Sequence, residues 1–318
     1  MKVKLGIAPI NWSNDDLPEL GGDIPLEECL AQMRQAGFIG TEIGNKFPHD
    51  GKEIRALLGR YDLQLASAWH STFFVRHSID EELARLGKKL KVLCDAGARR
   101  INLCECTGSV HGDISQPLSA RPRLSRKDWK HLCDGLSEAA DMCERSGISV
   151  AYHHHMGTVI QDEDEVAELL SRTQEDVGLC FDSGHLRFAG ADPIKCWSKF
   201  SHRVKHVHLK DVRLSVMPAQ AGIQSNSEVS TLDPSLRWDD SSFLSAVKAG
   251  IFTVPGDGDI DFHTLIKMMI ESDYRGWMIV EAEQDPAKAN PLKYARKAKV
   301  HLDAIFNSAK EADYAQLR

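Results

Sequence analysis

Short β-branched or apolar runs alternate along the chain with longer stretches whose apolar residues recur every three or four positions, the pattern of parallel strands joined by crossover helices. Eight strands are predicted: Lys4 to Pro9, Gly40 to Ile43, Gln64 to Trp69, Arg100 to Leu103, Ser149 to His153, Val177 to Phe181, Val204 to Leu209 and Gly276 to Val280. The helices between them carry their own signals. Pro25 suits a first turn, Leu26, Leu30 and Met33 share a face, and Gly37 ends the run. Leu132, Leu136, Ala139, Ala140 and Cys143 form a second stripe, closed by Gly147. Eight such units predict an α/β fold, a single (β/α)8 barrel over 1–318, with 291–318 as its C-terminal helix and tail. No G-x-G-x-x-G follows the first strand, so a dinucleotide-binding sheet has little support. One segment breaks the rhythm: 214–240, rich in Pro, Gln, Ser and Asn, reads as an inserted loop.

Composition narrows the choice of ligand. Hydrophobic residues make up 42% and charged residues 27% of the 318, ordinary usage for a globular chain with a substantial core. A net charge of −7 without a Lys/Arg-rich block argues against nucleic-acid binding, and no apolar run reaches membrane-spanning length. The eight cysteines are scattered, with no secretory pattern ahead of them, so reduced thiols and a cytoplasmic location are expected. A small polar ligand fits this profile, and a symmetric homodimer is the default assembly.

In barrels of this kind the active site gathers at the carboxyl ends of the strands. Those ends read Glu42, His70, Cys104 with Glu105, His153 with His155, Asp182 with His185, His208 with Lys210, and Glu281 with Glu283. A lone buried histidine is usually only hydrogen-bonded in a core. Imidazole, carboxylate, imidazole and carboxylate at four successive strand ends are a different matter. His153, Asp182, His208 and Glu281 could converge on one divalent ion, and a mixed nitrogen and oxygen set suits Mn, Co, Fe or Zn better than Ca or Mg. Alternation sends His153 and His155 to one side and His154 to the other, and places His206, His208 and Lys210 on one face. VPGDGDID is acidic and lacks G-K-[ST], so it is a tight turn rather than a phosphate loop.

Seven stretches, GIAPINWSNDDLPELGGD, GTEIGNKFP, AYHHHMGT, FDSGH, HVHLKDVR, GIFTVPGDGDIDF and GWMIVEAEQDPAKANPLKYA, together resemble the inosose dehydratase family over nearly the whole chain. The resemblance also implies the wider group of xylose-isomerase-like TIM barrels, which includes ketose 3-epimerases and endonuclease IV. From that group a carboxylate, histidine and carboxylate metal site carries over onto Asp182, His208 and Glu281, with His185 matching a neighbouring active-site histidine. Here His153 stands where the epimerases and the endonuclease carry a ligating Glu. The implied reaction is loss of water from scyllo-inosose (2-keto-myo-inositol), with Mn or Co as the metal and a glutathione requirement. Such chemistry needs a base and an acid at one pH. Glu281 or His185 is the candidate base and Lys210 or His153 the candidate acid, with Glu42, His70, His155, Arg213 and Glu283 expected to bind substrate. The alternative is a sugar isomerase or 3-epimerase that begins with the same enolate and returns a proton instead of expelling water.

Overall fold

The structure, a computed structural model, describes residues 3–214 and 241–316. The expected insertion lies, apart from Leu214, outside the described residues.

Eight parallel strands form the barrel: β1 Val3–Ile7, β2 Gly40–Ile43, β3 Gln64–Thr72, β4 Arg100–Glu105, β5 Ser149–His153, β6 Val177–Asp182, β7 Val204–Leu209 and, after two short strands, β10 Gly276–Val280. β8 Asp211–Val212 and β9 Phe252–Thr253 make a separate antiparallel pair beside the barrel mouth. The barrel order is β1-β10-β7-β6-β5-β4-β3-β2. The last join differs from the others. Between β1 and β2 no ladder is formed; the backbone N–H of Ile39 donates to Leu5 O at 3.2 Å and the Thr41 hydroxyl to Ile7 O at 2.8 Å. Glycines allow this approach, since a Cβ at Gly6 would sit 2.8 Å from the Gly40 carbonyl oxygen.

The helices are α1 Leu26–Gln35, α2 Gly51–Gly59, α3 Ile79–Ala96, α4 Arg126–Arg145, α5 Glu163–Arg172, α6 Ser183–Phe188, α7 Pro193–Phe200, α8 Phe243–Ala249, α9 Phe262–Glu271 and α10 Pro291–Gln316. Ser78, Ser125 and Asp162 close capping boxes ahead of α3, α4 and α5, satisfying N–H groups that a helix start leaves free. Pro25 proves to be the cap residue before α1 rather than part of its first turn. The predicted stripes of α1 and α4 are buried against the barrel, in one core that runs from Val3 to Phe306. Three strands run beyond their predicted ends: β3 continues through His70 to Thr72, β4 through Cys104 to Glu105, and β6 by one residue to Asp182. All eight cysteines are free thiols. No described helix is long and apolar enough to cross a membrane.

Candidate active site

The carboxyl ends of the strands surround a cavity of about 850 Å³. His153 ends β5, Asp182 ends β6, His208 lies one residue before the end of β7 and Glu281 follows β10, so four neighbouring strands deliver the four candidate ligands. Their atoms meet. His208 Nδ1 lies 3.0 Å from His153 Nε2, 3.1 Å from Glu281 Oε2 and 3.6 Å from Asp182 Oδ2, and His153 Nε2 is 3.7 Å from Asp182 Oδ2. Asp182 is fully buried; its Oδ1 accepts the backbone N–H of His185 and caps α6, while Oδ2 has no hydrogen-bond partner.

His208 faces two ways. Its Nδ1 looks into the ligand cluster, and its Nε2 meets the Glu42 carboxylate at 3.2 Å. Burial pushes the Glu42 carboxyl up, yet His208 and His206 hold it well below the usual range. For His208, burial pushes the other way, but Cys180, Glu281, Glu42 and Asp182 around it raise its pKa well above that of a free imidazole. His153, His155 and His185 are driven well below it, first by burial and then by neighbouring cations.

Lys210 is fully buried. Its ammonium donates to Glu281 Oε1 at 2.8 Å and to Glu283 Oε1, and lies 3.2 Å from His185 Nε2. Burial opposes its charge, and Glu281, Glu283 and Asp182 more than restore it, so it stays protonated. Burial pushes Glu283 up to about 7 even with Lys210 beside it, and its Oε2 has no partner. Asp182, His185 and Lys210 lie beneath the cavity wall, whereas His153, His155, His208, Glu281 and Glu283 form part of it. Two expected catalytic residues, His185 and Lys210, are therefore placed behind the surface a substrate would touch.

The expected substrate contacts divide. His155 lines the cavity with Nδ1 2.9 Å from Met156 O; a carbonyl only accepts, so Nδ1 carries the proton and Nε2 keeps a lone pair. Glu42 lines it too, but four donors already converge on its Oε1. His70 sits at the outer part of the cavity with Arg85 and Lys89. The alternation of β3 explains this, since Ser67 reaches Glu42 and Trp69 packs on the ring of His153, so His70 between positions of that parity turns away from the ligand cluster. Arg213, expected at the substrate, is engaged elsewhere. Its guanidinium donates to Asp257 O, Gly250 O, Thr253 Oγ1 and the Asp257 carboxylate, and it does not line the cavity. Beside it the Asp211 carboxylate accepts from the backbone N–H groups of Val212, Gly256, Gly258 and Ile260, which fixes the VPGDGDID turn ahead of α9. Glu105 has a similar task, accepting from the N–H groups of Phe74 and Thr107.

Several residues of the site escaped the sequence reading. Trp69 stands edge-on to His153 and His155, with ring centroids 5.2 and 5.6 Å away. Asn102 donates to Glu42 at 3.1 Å, and Cys180 lies within ligand distance of His153 and His208. Period-two alternation counted back from Asp182 and Cys104 would have put Cys180 and Asn102 on the inner face.

An eight-stranded parallel barrel with a His and carboxylate cluster at its carboxyl end defines the class: the chain belongs to the xylose isomerase-like TIM barrel family, whose model matches residues 21–305. Within it, the chain is similar to an inosose dehydratase of Geobacillus thermodenitrificans, 43% identical over 95% of this chain and 96% of that protein. It is also similar to the rhizopine catabolism protein MocC of Rhizobium meliloti, 42% identical over 97% of this chain and 90% of that one. Among solved structures, an L-ribulose 3-epimerase superposes with a TM-score of 0.67 at 14% identity, covering 98% of this chain and 97% of its own. The IolI protein with a bound zinc atom does so with a TM-score of 0.63 at 14% identity, covering 96% and 97%.

Proposed function

We propose that this chain is a hydro-lyase of inositol catabolism that depends on a divalent metal and removes water from scyllo-inosose to give a trihydroxycyclohexane-1,2-dione. The observation that carries the reading is Asp182 Oδ2, a fully buried carboxylate oxygen with no hydrogen bond, set among His153 Nε2, His208 Nδ1 and Glu281 Oε2. A buried anionic oxygen without a hydrogen bond is costly, the Lys210 ammonium stands off at 3.9 Å, and a metal ion among these side chains would relieve it. Asp182, His208 and Glu281 offer atoms close enough together to hold one ion, and His153 Nε2 lies 3.0 Å from His208 Nδ1 and 3.7 Å from Asp182 Oδ2. Two nitrogens and two oxygens favour a first-row transition ion, and Mn or Co is the ion we assign. When bound, it supplies Lewis acidity toward the ketone oxygen, which makes the adjacent C–H acidic. The relatives named inosose dehydratase support the substrate.

The residues on the cavity wall supply the rest. His155 Nε2, with its lone pair free, takes the proton from the carbon next to the ketone. Glu283 gives a proton from Oε2 to the β-hydroxyl, which departs as water while its Oε1 stays on Lys210. The indole of Trp69 fixes the planes of His153 and His155 and shields them from bulk water. Lys210 holds Glu281 and Glu283 in place from below. One proton and one hydroxide leave the substrate, so the sum is a single water.

Mass spectrometry of scyllo-inosose incubated with chelator-treated protein, then with Mn or Co and glutathione added, tests this reading. The expected product is lighter by one water and forms only with metal. An unchanged mass, with a keto-sugar epimerised or isomerised instead, assigns the chain to the other activity of this barrel.

A further inference from the structure

Glu42 was expected at the substrate, yet its surroundings are those of a carboxylate already in use. Its Oε1 accepts from the Ser67 hydroxyl, from Asn102 Nδ2 at 3.1 Å and from His206 Nε2 at 2.8 Å. Its Oε2 lies 3.2 Å from His208 Nε2. The donors come from β3, β4 and β7, so the carboxylate on β2 is tied to strands on both sides of the barrel floor. A carboxylate only accepts, so the protons of these contacts sit on His206 Nε2 and His208 Nε2, and the Asn102 amide, 3.3 Å from His208 Nε2, donates to Glu42 Oε1 at 3.1 Å instead. With a proton on Nε2, neutral His208 has its lone pair on Nδ1, the nitrogen that faces Glu281, Asp182 and His153.

We propose that Glu42 is a positioning residue for the metal centre: it fixes the ring plane and tautomer of His208 so that Nδ1 is presented to the ion, and it does not itself bind ion or substrate. This rests on the metal-dependent reading above. The same residues offer a competing arrangement. Glu42, His206 and His208 have atoms close enough together to hold an ion of their own, on the Nε2 side of His208. The two differ in what His206 does. As a ligand it would be as important as Glu42; in the positioning role it is one of several donors that steady the carboxylate.

The test measures Co²⁺ and Mn²⁺ affinity directly, by competition with a chelator, for wild type, E42A, E42Q and H206A, with the Co²⁺ absorption spectrum recorded for each. Wild type is expected to take one equivalent. E42A is expected to bind about 10–100-fold more weakly, the usual effect of removing the carboxylate behind a ligating histidine, with the Co²⁺ band retained at saturation and less tightly defined. H206A is expected to stay within a few-fold of wild type. Equal affinity in wild type and E42A overturns the proposal, and so does an H206A loss as large as that of E42A, which would make both residues ligands. Should E42A fail to fold, the isosteric E42Q, which removes the charge, is expected to lose about 10-fold, and unchanged affinity there overturns the proposal in the same way. A wild-type protein that takes up neither ion refutes the metal-dependent reading itself, a result separate from any behaviour of the variants.

Discussion

Lys210→Met replaces a fully buried ammonium with an apolar side chain of similar length, and the structure sets the size of the effect. In the metal-free protein the lysine faces Glu281 at 2.8 Å, Asp182 at 3.9 Å and Glu283 in direct contact. Removing one partner of a buried ion pair costs about 3–5 kcal/mol, because the remaining charge is left uncompensated. Glu283 can soften this by taking a proton, since burial already pushes it to about 7. The loss should therefore fall near the lower end, about 3 kcal/mol. Urea unfolding of both proteins in the presence of a chelator measures it, as a lower midpoint at unchanged slope. The double variant Lys210→Met with Glu283→Gln removes one stranded carboxylate and should regain about 1–2 kcal/mol over the single variant. A single variant within about 0.5 kcal/mol of wild type, the range of ordinary surface substitutions, would refute the claim that Lys210 is the counter-charge of the site.

Two further outcomes follow from other parts of the barrel. Burial pushes His70 from 6.5 down to about 4, so the unfolded chain binds its proton first; the stability this contributes is complete above pH 6.5 and is lost as pH falls from 6.5 toward 4. Between pH 7.5 and 5 wild type should lose about 2 kcal/mol more than His70→Asn, and parallel pH profiles from chemical denaturation would count against it. Asp211→Ala removes the acceptor of four backbone N–H groups; a loss of about 2–4 kcal/mol is expected, with faster amide exchange confined to the turn at 254–260, and unchanged protection there would contradict the role given to Asp211.

The strands, and with them the ring of chemistry at their ends, were legible because short β-branched or apolar runs between helical stretches report directly on a buried parallel sheet. His153, Asp182, His208 and Glu281 came together because each lies within one residue of a strand's carboxyl end, a property local to the sequence. Depth was not legible. Whether Lys210 reaches a cavity or a wall of carboxylates depends on Glu281 and Glu283, more than seventy positions away. The same holds for Glu42, whose partners His206 and His208 are supplied by β7 across the barrel. Arg213 was misplaced because the β8 and β9 pair, two residues per strand, is too short to leave a periodic signal and carries the arginine onto Asp257. His70 was read as a strand end when β3 continues past it, so its parity within the strand was missed.

The unladdered join between β1 and β2 lies away from the four strands that carry the ligand cluster, which are consecutive neighbours in the order β10-β7-β6-β5. Local opening starts where backbone pairing is thinnest. The barrel can thus breathe at the seam while the ligand set stays in register, and the ligand-bearing strand nearest the opening, β10, is still separated from it by the full ladder of β1. One border of this seam is β2, the strand that carries Glu42. Opening there would reach the carboxylate that faces His208 without parting any of the four strands that carry the candidate ligands.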